Sequence, residues 1–233
     1  PAAHGAFVLR STLAVAVVSL ALFRYLFVRT LWQAEILAES EARVEALQAR
    51  IRPHFLFNSL NTIASLIHDD PDAAERATED LAALFRGGMR SSEELVPLAD
   101  ELSLARKYLA MEERRLGDRL AVSWQTEDLP VEQPVLPMLL QPLLENAVAH
   151  GIQPRPDGGA VSLSGHREGD SIVITVRNPL APSGGRPGHG MALANIRSRL
   201  LLTYNTLASL VTHQDDDHFY AVLTLPHAET ADR

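Results

Sequence analysis

Gln48-Ala-Arg-Ile-Arg-Pro-His-Phe-Leu-Phe-Asn-Ser-Leu-Asn61 is the stretch on which the reading of this chain turns. Continued to His68, it carries two stripes of one helical period. Leu56, Leu60, Ile63 and Ile67 fall at i, i+4, i+7 and i+11 and make an apolar face. His54, Asn58, Asn61, Ser65 and His68 repeat the spacing on a polar face that His54 begins. Pro53 removes an amide donor immediately before the histidine and favours a bend there. After the break at His68-Asp-Asp-Pro-Asp72, a second helix is expected from Ala73 to Met89, with Gly87-Gly88 fraying its end. Leu81, Leu84 and Phe85 would pack on the first stripe, giving a helical hairpin able to pair into a four-helix bundle.

Working toward the N-terminus, Leu31 starts a charged helical pattern that continues from Trp32 to Ile51. Leu37, Val44 and Ile51 recur every seven residues, with Leu47 at a second seam position, as in a short dimeric stalk. Before it, Phe7 to Val28 is apolar apart from Arg10, Arg24 and small hydroxyl residues. A helix of about 20 such residues crosses the hydrocarbon layer. Arg24 and Arg29 flank its C-terminal end, which places everything after about residue 29 on the cytoplasmic side. The expectation is a membrane helix over 1–30, preceded by sequence that this chain does not disclose.

Toward the C-terminus, Pro97 opens a linking helix, Leu98 to Arg115. Beyond it the texture is mixed. Strands are expected over Leu120–Thr126, Val161–Gly165, Ser171–Arg177, Ser209–Gln214 and Tyr220–Leu225, and helices over Leu136–Ala149 and Met191–Tyr204. Strands segregated from helices imply a sheet covered by helices on one face. The composition narrows the function classes. With 21 basic and 29 acidic residues the formal charge is −8, so no basic field grips a phosphate backbone and direct nucleic-acid binding is not expected. The absence of cysteine removes disulfides, thiolate catalysis and Cys-ligated zinc.

Two longer runs carry chemistry. The six residues Pro53-His-Phe-Leu-Phe-Asn58 resemble the phosphoacceptor box of the LytS/YehU-type sensor histidine kinases. Gln141-Pro-Leu-Leu-Glu-Asn-Ala-Val-Ala-His-Gly151 resembles the N box of the same family's ATP-binding domain, shared more loosely with gyrase, heat-shock-90 and mismatch-repair ATPases. Within it Asn146 and His150 share a face, and Glu145 adjoins Asn146. An amide oxygen suits Mg²⁺, which keeps its waters and substrate phosphates. Glu101, Tyr108 and Arg114 or Arg115 match the family's linking helix, and Gly188-His-Gly190, running into Met191–Leu200 with Asn195, Arg197 and Arg199, resembles its glycine lid.

The resemblance covers about residues 45 to 226 and implies an α+β chain: membrane helix, dimerisation hairpin, then an α/β-sandwich ATP-binding domain of the Bergerat, or GHKL, type. The expected segments are 1–30 membrane helix, 31–94 stalk and histidine hairpin, 95–118 linking helix, 119–228 catalytic domain and 229–233 tail. It also implies ATP and Mg²⁺ as cofactors, His54 as phosphoryl acceptor with Glu145 as candidate base, and Asn146 as metal ligand. Asn146, His150, Asn178, Gly188, Gly190 and Asn195 would hold the nucleotide. The partners would be a second copy and a cytoplasmic response regulator at a bacterial cytoplasmic (inner) membrane.

Two departures stand out. Asn178-Pro-Leu180 occupies the place of an Asp-x-Gly that binds adenine, and Asp217-His-Phe-Tyr220 replaces a second glycine box. Both resemble the AlgZ/FimS-like branch, whose regulators are of the LytTR type. A pseudokinase that sequesters its regulator, or a phosphatase-dominant sensor, is the alternative these departures raise.

Overall fold

The computed structural model describes residues 20, 22–27, 29, 53–89, 94–180 and 190–227. The chain divides into two compact units between Arg52 and Pro53. In the first unit the described residues are helical and expose Leu22, Phe23, Tyr25, Leu26 and Phe27. Among the described residues no helix is long and apolar enough to cross a membrane. Most of the expected span, the whole stalk from 31 to 52 and the tail lie outside the described residues.

The second unit opens with helices α1 (Pro53–Asp69) and α2 (Pro71–Met89). Asp70 separates them and its Oδ1 accepts from the Ala73 amide at 2.9 Å, an N-cap followed by proline at the first helical position. A small apolar cluster of Ala77, Leu81 and Met111 takes up Phe55, Leu56, Ile63, Leu66 and Phe85. Only half of the predicted stripe is inside: Leu56 and Ile63 pack, whereas Leu60 (47% exposed) and Ile67 (51%) face outward beside Phe57 (65%). The Gly87-Gly88 pair does not fray α2, which runs on to Met89. A Cβ on Gly87 would lie 2.6 Å from Leu104 Cδ1, so the glycine permits close helix approach instead.

Helix α3 (Leu98–Leu116) follows a two-residue strand, β1 (Val96–Pro97), that pairs with β3 (Pro134–Val135). Lys107 and Arg114 on α3 reach Asp80 on α2 at 2.8 and 3.4 Å. The main sheet contains β2 (Leu120–Gln125), β4 (Gly159–Glu168), β5 (Ser171–Pro179), β6 (Ser209–Gln214) and β7 (His218–Pro226), in the order β2-β4-β5-β7-β6. β2 and β4 are parallel and the other pairs antiparallel.

Alternation decides the two faces. Val161, Leu163, Ile172, Ile174, Val176, Leu223 and Leu225 point to one side and share a core with Leu102, Ala105 and Leu109 of α3. Helices α4 (Leu140–Ala147) and α5 (Gly190–Tyr204) complete that layer through Leu143, Leu144, Ile196 and Leu200. The opposite face carries Ser123, Gln125, Ser162, Ser164, Thr175 and Arg177 and borders an open cavity of about 550 Å³. The α+β class with a mixed sheet and helices on one face thus follows the sequence pattern.

Candidate functional site

The predicted helix over Leu136–Ala149 is built differently. Pro137 and Met138, the latter at φ 59°, hold the chain out of helix, and α4 begins only at Leu140. After Ala147 the turn widens into a π-helix over Val148–Ile152, with the Gln153 amide donating to the Val148 carbonyl at 2.9 Å. Such bulges concentrate at functional sites because the extra residue re-aims the helix surface.

Here it brings Gly151 against β5. A Cβ added to Gly151 would clash with Asn178 Nδ2 and stand 2.8 Å from both Cβ and Cγ of Asn178. The close approach requires glycine. Asn178 itself is 4% exposed. Its Nδ2 donates to the Pro179 carbonyl at 2.9 Å, while its Oδ1 is buried without a partner. An orphaned acceptor costs about 1–3 kcal/mol unless a ligand donor reaches it.

On α4, Glu145 Oε1 accepts from Gln141 Nε2 at 3.0 Å. Glu145 and Asn146 are half-buried and His150 is exposed. Asn195 is exposed on α5, Gly190 is its first residue, and Gly188 lies outside the described residues. Among the described residues no three His, Asp or Glu cluster as a metal cage. Mg²⁺ commonly needs only one or two protein oxygens beside phosphates; Asn146 would supply one, with the adjoining Glu145 placed to hold a metal-bound water or accept a proton. The unpartnered Asn178 Oδ1 likewise fits an exocyclic adenine amine as its donor.

Glu101 received no role from sequence. It is 2% exposed on α3, and its carboxylate accepts from the amides of Met138 (2.7 Å), Leu139 (2.8 Å) and Leu140 (3.1 Å). Burial pushes this carboxyl above the usual range, against the pull of the three amides and of Arg199. Arg199 on α5 donates to the Pro137 carbonyl at 2.7 Å, gripping the same loop from the other side.

His54 stands apart from this site, exposed on the first turn of α1. Asn58 Nδ2 lies 3.2 Å from its Nδ1. The same Nδ2 lies 3.4 Å from Nε2; whichever ring nitrogen attacks must carry the free lone pair, so the proton that a base removes is the one on the other nitrogen. The adjoining Phe55 packs against Tyr108 of α3 with ring centroids 5.4 Å apart. The structure therefore joins Asn178 to the Gly151 end of the N-box run, and places His54 on a separate helix contacted through α3.

A family model described as Histidine kinase matches residues 42–120. The chain is similar to the sensor histidine kinase YpdA of Escherichia coli (strain K12), at 34% identity over 185 residues, 74% of this chain and 33% of that protein. It is similar to sensor protein LytS of Staphylococcus haemolyticus, at 30% identity over 196 residues, 77% of this chain and 34% of that one. It spans about a third of the length of these curated relatives. Among solved structures, the catalytic domain of histidine kinase ThkA aligns at TM-score 0.42 and 16% identity, over 57% of this chain and 97% of that one. From the two sequence boxes, these relatives and the family match, the chain belongs to the LytS-type sensor histidine kinases.

Proposed function

We propose that this chain is the transmitter part of a membrane-anchored sensor histidine kinase that phosphorylates itself on His54 from Mg²⁺–ATP and passes the phosphoryl group to an aspartate of a LytTR-type response regulator. The observation that carries the reading is the buried, unpartnered Oδ1 of Asn178 held against Gly151 of the N-box run. ATP contributes the phosphoryl group, and Asn146 is the residue suited to its metal ion. The N–P bond forms at an imidazole nitrogen of His54, the bond to the ADP oxygen breaks, and the imidazole proton leaves to a base, for which Glu145 is the candidate. Such a transfer depends mainly on alignment and charge neutralisation.

Homodimerisation is supported by the outward row of Phe57, Leu60 and Ile67 on α1, an apolar edge that a second hairpin would cover. Membrane anchoring at the bacterial cytoplasmic membrane rests on the composition of residues 7–28 and their basic C-terminal flank.

The test is incubation of the purified protein with Mg²⁺ and γ-labelled ATP, with and without a regulator. Acid-labile, base-stable label that vanishes in His54→Gln supports the kinase. Nucleotide binding by a dimer that never acquires label refutes it. A second reading, a regulator-sequestering pseudokinase, is favoured by the neutral amide of Asn178, because a charge-assisted bond to adenine would be roughly twice as strong.

A further inference from the structure

Helix α4 has no side-chain cap of its own: Leu139 occupies the N-cap position and makes no such bond. Its first amides are satisfied from α3, where the Glu101 carboxylate takes those of Met138, Leu139 and Leu140. A cap supplied from 37 to 39 residues away is a tertiary tie, not a local turn. The loop it grips is conformationally costly, since Met138 is a non-glycine residue at φ 59°. Arg199 closes the grip from α5 through the Pro137 carbonyl at 2.7 Å. Seven positions along α3, and so two turns further on, Tyr108 packs on Phe55, the neighbour of His54.

We propose that Glu101 is the positioning residue by which α3 sets the start of the N-box helix, so that one rigid helix ties the histidine end of α1 to the geometry of Asn146 and Gly151. This rests on reading the N-box region as the nucleotide site. Glu101 touches no reacting group; it acts through α4. A carboxylate is required because its two oxygens accept from three converging amides. A glutamine would turn an NH₂ group toward at least one of those donors, leaving a buried amide unpaired.

The experiment uses the full chain, purified in detergent, as wild type, Glu101→Gln and Glu101→Ala. Hydrogen exchange is followed at Met138–Leu140 and at the β5 amides, alongside the affinity for Mg²⁺ and a non-hydrolysable ATP analogue. In both variants the three loop amides are expected to exchange at least about tenfold faster, with β5 unchanged, and analogue affinity to fall about five- to tenfold, as for loss of charge-assisted bonds. The proposal is overturned if the loop amides keep their protection, if they loosen only together with β5, or if they loosen while affinity holds. A wild-type chain without affinity for the analogue removes the nucleotide reading itself, and this inference with it, before any variant is compared.

Discussion

Gly151→Ala isolates the contact on which the nucleotide reading depends. An alanine here is otherwise welcome: Gly151 sits in a helical turn at negative φ, and removing a glycine from such a position ordinarily stabilises by about 0.4–1 kcal/mol through the unfolded chain. The structure reverses the sign. The new Cβ would stand 2.8 Å from Asn178 Cβ and Cγ, well inside ordinary carbon contact. Asn178 cannot retreat easily, because it is paired with Phe219 of β7, its neighbour Arg177 is paired with Ser162 of β4, and its side-chain amide is held by the Pro179 carbonyl.

Overpacking of this kind costs about 1–3 kcal/mol, and loss of the amide bond adds about 1 kcal/mol. Set against the gain from removing the glycine, the net is a destabilisation of about 1–3.5 kcal/mol, which in a unit of this size lowers Tm by roughly 2–14 °C. Thermal unfolding by circular dichroism reads this, with Gly88→Ala as control, since nothing lies within 4 Å of a Cβ there. Nucleotide affinity should fall with the displacement of Asn178. A Gly151→Ala protein that melts at or above the wild-type temperature would refute the reasoning.

Three further outcomes are expected. Asn178→Asp sets a carboxylate oxygen where Nδ2 now donates to Pro179, so the nucleotide-free protein should lose about 1–3 kcal/mol of stability while adenine nucleotides bind more tightly; denaturant unfolding with and without nucleotide separates the two, and weaker binding would contradict it. The Tyr220 hydroxyl, 2.8 Å away, with the amides of Asp217 and His218, holds the Asp215 carboxyl at about 2, below its usual 3.8. A depressed carboxylate contributes stability above pH 3.8 that is lost as pH falls through about 2, so Tyr220→Phe should raise the Asp215 midpoint seen by carboxyl NMR and bring that acid loss to higher pH. Leu60→Glu with Ile67→Glu should convert a dimer to monomers in sedimentation without unfolding α1, since both side chains already face outward; a dimer of unchanged strength would place its interface elsewhere.

The fold class was legible because alternation in Val161–Gly165 and Ser171–Arg177 and the 3.6-residue period of Leu98–Arg115 each answer to a single buried face. The apolar stripe of α1 was less so. Period alone does not say which apolar residues meet their own chain, and Phe55 and Leu66 pack inside where Leu60 and Ile67 had been expected. The start of α4 was displaced from Leu136 to Leu140 by a positive φ at Met138, a conformation uncommon outside glycine and the Asn/Asp class and so without a sequence cue. Glu101 was invisible as a cap, because its donors are distant in sequence. Gly151 stood within a recognised box, yet its reason, the side chain of Asn178, emerges only when β5 is laid beside the π turn.

That turn makes the contact between Gly151 and Asn178 depend on counting as well as on chemistry. A residue of regular α-helix advances about 100° around the axis, so a one-residue deletion between Ala147 and Ile152 that restored the ordinary period would swing the following backbone by more than a quarter of a circle. Every residue type in the box could survive such a change and Asn178 would still lose its neighbour. The spacing from Asn146 to Gly151 is thus a structural quantity in its own right, one that substitution scanning leaves untouched and insertion or deletion reaches at once.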